Sequence, residues 1–221
     1  MNDITIIGTG SMARSIAVRA LAGGRSVQLL AHDDKGKADK LAAELSGADK
    51  TSTGRISTGI VGDGITGAIV IGAVPFDAAK MLVTEHRGAL GGKVYVDITN
   101  PVDASTFEGL AVPHDTSAAE ELQKTTDARV VKAFNTTFAG PLVQGEVAGQ
   151  PLDVLIAGDD DEAVRAVADL VRAGGLTPIV VGPLRRARQL EQAGFLHMLL
   201  QANEGLPEFQ WDTALRIVRA E

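Results

Sequence analysis

Cysteine is absent from the chain, which excludes disulfides, thiolate nucleophiles and thiolate-bound metals. Aromatic residues make up only 4% of it. A core must therefore be built from Ala, Val, Leu and Ile, a composition that suits helices on a parallel sheet buried on both faces. Positive charge is scarce: 21 Lys and Arg stand against 28 Asp and Glu, a formal net charge of −7, with no long basic run. Contact with phosphate backbones needs a clustered basic surface, so neither nucleic acid nor an anionic membrane surface is expected as a partner. No apolar run approaches the roughly 20 residues that cross a bilayer. No charged segment with an apolar core precedes the first strand pattern, so no secretory leader is expected and the expected location is cytoplasmic. The 4 histidines are scattered, and neither G-x-S-x-G nor H-E-x-x-H occurs. No catalytic acid–base group and no metal site are expected.

What is present alternates. Ile4-Thr5-Ile6-Ile7 is a short apolar run closed by Gly8 and reads as a strand. Ser11 to Gly23 carries Ile16, Ala17, Ala20 and Leu21 at helical spacing, and Gly23-Gly24 stops it. Strand patterns recur at 27–31, 68–73, 93–98, 128–133, 153–157 and 178–181. Helical patterns occupy 35–45, 76–86, 118–124, 162–173 and 184–203. The stretch 46–67 is weak, with Ile60-Val61 its one candidate for a short strand. This alternation predicts right-handed crossovers and an α/β fold class, a doubly wound, mostly parallel sheet. A soft boundary near Gly145 to Pro151 separates a first domain, residues 1–147, from a small C-terminal α/β domain, residues 148–221.

The chemistry starts at Gly8-Thr9-Gly10-Ser11-Met12-Ala13, directly after a strand and opening a helix. In a G-x-G-x-x-G/A turn the first glycine permits the sharp turn. The second lets a pyrophosphate approach the backbone, and the third position, here Ala13, must be small for helix and strand to pack. The anion then faces free N–H groups at the positive helix N-terminus. Residues 1–147 are therefore expected to bind a dinucleotide. The end of the second strand selects which one: a carboxylate there accepts the ribose hydroxyls of NAD, and basic groups accept the extra phosphate of NADP. This chain offers Ala31-His32-Asp33-Asp34-Lys35-Gly36-Lys37. Asp33 stands where an NAD-type acid belongs, His32, Lys35 and Lys37 suit a phosphate, and Asp34 also suits the cap of the next helix. NADP and NAD both stay open.

Further motifs follow in order: Ala73-Val74-Pro75-Phe76, Asp97-Ile98-Thr99-Asn100-Pro101, Ser117-Ala118-Ala119-Glu120, Val131-Lys132-Ala133-Phe134-Asn135-Thr136, Gly158-Asp159-Asp160-Asp161-Glu162, and Gly182-Pro183-Leu184 with Arg188-x-Leu190-Glu191. With the glycine turn, this set over residues 1 to about 200 resembles the NADPH-dependent coenzyme F-420 reductases. Those are related to the dinucleotide domain of pyrroline-5-carboxylate reductases and to the cytosolic domain of six-transmembrane ferric reductases. The resemblance implies a Rossmann domain with a small C-terminal domain, in a homodimer. It also implies hydride transfer between C4 of the NADP(H) nicotinamide and C5 of a stacked F-420 deazaflavin. Such transfer needs orientation and a dry site rather than a protein nucleophile.

By position, the resemblance implies that Thr9, Gly10, Ser11 and Met12 meet the pyrophosphate and that Val74, Pro75 and Phe76 pack near the adenosine ribose or nicotinamide. Asn100 and Pro101 then sit beside the nicotinamide, and Ala133, Asn135 and Thr136 line the deazaflavin pocket. Where the family commonly carries Ser or Thr and then Arg for the 2′-phosphate, this chain has Ala31 and His32, while Lys37 matches a family lysine. Other small-molecule acceptors (Fe(III), a flavin, a quinone, an imine) and a non-catalytic NADP(H) sensor are the alternatives.

Four features carry plainer readings. Asp159-Asp160-Asp161 reads as a helix N-terminus favoured by the dipole. Arg185, Arg186 and Arg188 read as a solvated face pairing with Glu191 and nearby acids. Leu184, Ala187, Leu190 and Ala193 recur every three residues and suit packing on the sheet or on a second subunit. His197 and Met198 read as core or dimer contacts.

Overall fold

A computed structural model describes residues 3–48, 54–103 and 105–218. Residues 49–53, within the weak stretch 46–67, lie outside it. The first half alternates β1 (Ile4–Ile7), α1 (Ser11–Ala22), β2 (Val27–Ala31), α2 (Lys35–Ala48), β3 (Ile56–Ile60), β4 (Ile69–Gly72), α3 (Phe76–Glu85), α4 (Arg87–Leu90) and β5 (Val94–Asp97). There follow α5 (Ala118–Gln123), β6 (Arg129–Lys132), α6 (Ala139–Gln144), a small hairpin of β7 (Glu146–Val147) and β8 (Gln150–Pro151), β9 (Asp153–Gly158), α7 (Asp161–Ala173), β10 (Thr177–Gly182) and α8 (Ala187–Ala202).

Eight strands form one sheet in the order β10-β9-β6-β5-β4-β1-β2-β3. From β3 to β6 every pairing is parallel. β9 then joins β6 antiparallel, and β10 runs parallel to β9. The sheet is thus mostly parallel and Rossmann-like, as its pattern predicts. The hairpin β7–β8 falls at the expected boundary, and the residues beyond it extend the same sheet. β1, β2, β4 and β5 are mostly apolar and almost fully buried, because helices cover both faces.

The third strand differs from expectation. It runs Ile56–Ile60, and Val61 opens a 3-10 turn instead. Its Ser-Thr-Gly centre belongs to a sheet edge, where one flank meets solvent and an apolar run is not required. Strand order reverses around β1, which lies between β2 and β4. In open α/β sheets the crevice beyond the carboxyl ends at such a switch point is where ligands bind.

Candidate functional site

The turn after β1 is fixed from both sides. Gly8 N–H donates to Leu30 O at 2.9 Å, and Ala73 N–H donates to Ile7 O at 2.8 Å. Gly8 has φ +122, and a Cβ there would lie 2.2 Å from Ala73 O, so the fold itself requires glycine. Gly10 differs. Its backbone is extended, and a Cβ there would meet nothing within 4 Å. The space over Gly10 is an open cradle in front of α1, whose first turn has neither a side-chain cap nor an acid. That geometry fits a pyrophosphate on free N–H groups. Ala13 is fully buried, as close packing of helix and strand demands.

Three hollows meet around this turn. One of about 470 Å³ runs from Gly10, Ser11 and Met12 along Val74, Pro75 and Phe76 to Thr99, Asn100 and Pro101. A second, about 370 Å³, shares Ser11, Met12, Ile98 and Asn100 with it and is walled by Phe134, Phe138, Met198 and Trp211. A third, about 260 Å³, lies between the turn and α2 and includes Thr9 and Lys37. The structure therefore brings together most of the residues singled out in the sequence. Asn135 lines the second hollow beside Thr137, whereas Ala133 and Thr136 are buried behind it and line none of the three. His32 and Asp33 also line none of them. Their side chains are 85% and 74% exposed, with His32 Nδ1 3.9 Å from Asp33 Oδ2. Asp34 caps α2, its Oδ1 accepting from Gly36 N–H at 2.9 Å.

Two asparagines stand where the first two hollows meet. Asn135 Nδ2 donates to Asn100 Oδ1 at 2.8 Å and to Leu190 O at 2.8 Å. Asn100 Nδ2 donates back to Asn135 O at 2.7 Å. The pair fits only because α8 offers Gly194 at this level: a Cβ there would sit 2.6 Å from Asn100 Oδ1. Asn135 Oδ1 and Thr99 Oγ1 are buried without a hydrogen-bond partner among the described residues. Buried polar atoms are normally satisfied, so two orphans flanking a cavity fit a ligand that hydrogen-bonds there.

Beneath the asparagines lies a buried charge cluster. Lys132 Nζ donates to Asp97 Oδ2 at 2.7 Å and to Glu191 Oε1 at 2.7 Å, with all three side chains fully buried. Glu191 Oε2 also accepts from Ala118 N–H at 2.9 Å. Asp97 Oδ1 accepts from Thr99 N–H at 3.0 Å. Burial disfavours the Lys132 charge, but the carboxylates of Asp97 and Glu191 outweigh it and hold the ammonium above its ordinary range. Burial pushes the Glu191 carboxyl up; Lys132 pulls it back and Asp97 pushes it further up, for a net rise. The cluster joins β5, β6, α5 and α8 directly under Thr99 and Asn100.

Glu191 is thus not a surface partner of the arginines. Arg188 instead forms a two-pronged pair with Glu120, at 2.8 and 2.6 Å. Burial of the α8 face that carries Glu191 explains the difference; the same face sends Ala187 and Leu190 into this chain's own core, and Leu184 joins them from the 3-10 turn just before α8. Asp160 caps α7, accepting from Ala163 N–H at 2.8 Å.

Sequence reasoning missed the wall of the second hollow. Trp211, in the tail after α8, packs edge-on against Phe138 with ring centroids 5.0 Å apart. Phe138 in turn lies 4.2 Å from the His197 ring. The tail is tied down by Trp211 N–H donating to Gln201 Oε1 at 2.7 Å and by a 2.8 Å hydrogen bond between His197 Nε2 and Thr213 Oγ1. A lone tryptophan in an unpatterned tail gave one usable signal, its rarity.

Burial holds the His197 imidazole below its ordinary value of 6.5, with a smaller opposing effect of the Thr136 backbone. A folded-state value below the unfolded one confers stability present above the ordinary value and lost as pH falls through the lower folded value. Emission from Trp211 is therefore expected to shift to longer wavelength as pH drops below 6.5, and the shift should vanish in His197→Gln. A native spectrum unchanged across that window would refute the coupling.

Residues 3–101 match the family model described as NADP oxidoreductase, coenzyme F420-dependent. The metalloreductase STEAP3 of Rattus norvegicus is 40% identical over 103 residues, 46% of this chain. The chain spans only 20% of that protein's length. A structure from Arthrobacter sp. FB24, described as a candidate F420-dependent NADP-reductase, superposes with a TM-score of 0.79 and 26% identity, covering 99% of this chain and 100% of that one. The pyrroline-5-carboxylate reductase of Coxiella burnetii, at 15% identity and TM-score 0.61 over 95% of this chain and 73% of its own, shares the fold. The resemblance to the F-420 reductase family read from the motifs is thereby borne out, and over residues 3–101 the chain is similar to NADP-dependent oxidoreductases.

Proposed function

On this NADP-oxidoreductase scaffold, we propose that the chain transfers hydride between NADP(H) and a flat aromatic acceptor of the deazaflavin type. The observation that carries the reading is the meeting of two hollows at Ser11, Met12, Ile98 and Asn100, one leading from the phosphate-binding turn and the other walled by aromatic rings. When bound, NADPH supplies the hydride from C4 of its nicotinamide, and the deazaflavin takes it at C5 together with a proton from solvent.

The residues orient and exclude water. The α1 N-terminus holds the pyrophosphate. Val74, Pro75 and Phe76 form one side of the trough, and Asn100 with Pro101 forms its far end. Asn135 Oδ1 and Thr99 Oγ1 accept hydrogen bonds from ligand N–H groups. Phe134, Phe138 and Trp211 supply faces and edges for a planar ring, and none of the residues lining that second hollow is ionisable. Fe(III), a hard cation, is best held by carboxylate or imidazole ligands, and imine reduction calls for a positioned acid; the residues lining this hollow include no carboxylate and no histidine. The orientation-only chemistry of hydride transfer matches it.

Mixing the chain with NADPH and oxidised F-420 should bleach the deazaflavin's visible absorbance. Failure with F-420 and with flavins, alongside turnover of an Fe(III) chelate or an imine, would overturn the reading. Trp211→Ala should raise the acceptor KM about tenfold, the order of one lost aromatic stacking contact, with NADPH affinity changed less than about twofold. Equal losses for both ligands would count against an acceptor-side role for Trp211.

A further inference from the structure

We infer that the hollow between the glycine turn and α2 holds the adenosine 2′-phosphate of NADP(H), and that Arg14 and Lys40 give this chain the discrimination its β2 end lacks. The inference rests on the dinucleotide reading above. The hollow is lined by Thr9, Gly10, Arg14, Lys37, Lys40 and Glu44, among others. It shares Gly10 and Ser11 with the larger trough, but the two extend in opposite directions: one toward α2, which follows β2, the other toward the ends of β4 and β5. Because β2 and β4 flank β1 on opposite sides, a dinucleotide held at Gly10 by its pyrophosphate sends one nucleoside each way. With the nicotinamide beside Asn100, the adenosine lies on the α2 side.

That side is cationic in a chain whose net charge is −7. Arg14 comes from α1, and Lys37 and Lys40 come from α2. Among the described residues none of the three side chains is held in an ion pair or hydrogen bond, whereas neighbouring Lys35 is paired with Asp39 at 2.8 Å. Three cations face the single carboxylate of Glu44, and like charges gathered on a small cavity oppose one another until an anion joins them. A phosphomonoester carries close to two negative charges at neutral pH, and a guanidinium matches its oxygens two at a time. The β2 end is a poorer place for it. His32 points into solvent beside the Asp33 carboxylate, which repels phosphate.

The test compares ligands with and without the 2′-phosphate: adenosine 2′,5′-bisphosphate against AMP by calorimetry, and NADPH against NADH by nicotinamide fluorescence. Arg14→Gln and Lys40→Gln should each weaken both 2′-phosphorylated ligands about tenfold, as expected for one charge-assisted contact. AMP and NADH should stay within about twofold, which also reports an intact fold. Affinity for NADPH should fall with added salt more steeply than affinity for NADH. Equal weakening of both ligand classes would assign the cations to the pyrophosphate and overturn the inference. So would unchanged affinities, or loss of discrimination in His32→Gln while the Arg14 and Lys40 variants keep it. Native protein that binds none of the four ligands would instead sink the dinucleotide reading itself.

Discussion

Lys132→Met is expected to lower the unfolding free energy by about 3–5 kcal/mol, the usual cost of removing one partner from a buried ion pair. Against a total of about 5–15 kcal/mol for a protein domain, that is a large share. At roughly 2–4 °C per kcal/mol for a chain of this size, the melting temperature should drop by about 6–20 °C. The reason is charge balance. Lys132 is the lone cation between Asp97 and Glu191, all fully buried, so its loss leaves two carboxylates facing each other without water.

Glu191→Gln should cost less than half as much. It gives up one good acceptor for the Ala118 N–H but relieves the surplus negative charge. The sign of the pH effect follows from the raised Glu191 pKa. A carboxyl raised in the folded state favours the fold below its ordinary value of 4.5 and loses that contribution as pH rises through the folded value. Stability of the native chain should therefore fall with pH across that window, and Glu191→Gln should flatten the fall. Melting curves of the three proteins between acid and neutral pH decide the matter. A Lys132→Met protein melting within about 2 °C of native would show that the cluster is not what fastens α8 to the sheet.

Gly10→Val is expected to weaken dinucleotide binding by at least about 100-fold while leaving the melting temperature nearly unchanged. The backbone at Gly10 is extended, and a Cβ there would meet no protein atom within 4 Å. Nothing in the fold demands glycine at that position, and the space a side chain would fill is where, on the proposed reading, the pyrophosphate approaches α1. Gly8→Ala is the informative contrast. Its φ of +122 and the 2.2 Å approach to Ala73 O make it a stability mutation, costing a few kcal/mol, with binding lost only as folding is lost. Calorimetry with NADPH and thermal melts on both variants separate the two effects. Retained binding in Gly10→Val would remove the turn from the site.

The parts of the molecule set by local pattern were legible. β1, β2, β4 and β5 are mostly apolar runs of four or five residues, with Thr5, Gln28 and Asp97 as their buried polar members, and each is read correctly because a doubly buried parallel strand tolerates few polar groups. The glycine turn was legible because its spacing is imposed by backbone geometry. Elements fixed by distant partners were not. β3 carries Ser57, Thr58 and Gly59 at a sheet edge and has no apolar signature. α6 contains Pro141 and Gly140, and its place is set by Ser15 and Arg19 of α1, which hydrogen-bond to Ala139 O and Val143 O. The direction of β9 is invisible to periodicity. Lys132 meets Glu191 across 59 positions, so a lysine inside an apolar run gave no hint of its two acids. Of the candidate site, the glycine turn and the residues along the larger trough are legible from their motifs, whereas the places of Gly194, Arg14, Lys40 and Trp211 depend on segments distant in the chain.

The division of labour at Asn100 has an evolutionary consequence. Phe138, Met198 and Trp211, which wall the aromatic hollow, line neither of the other two hollows around the turn. They come from the entry to α6, from α8 and from the tail. On the proposed hydride-transfer reading, substitutions there would remodel which molecule receives the electrons while the turn at Gly8 to Ala13 and the lysine beneath Thr99 stay as they are. A lineage built on that reading would change its acceptor one wall residue at a time without relearning how to grip its coenzyme.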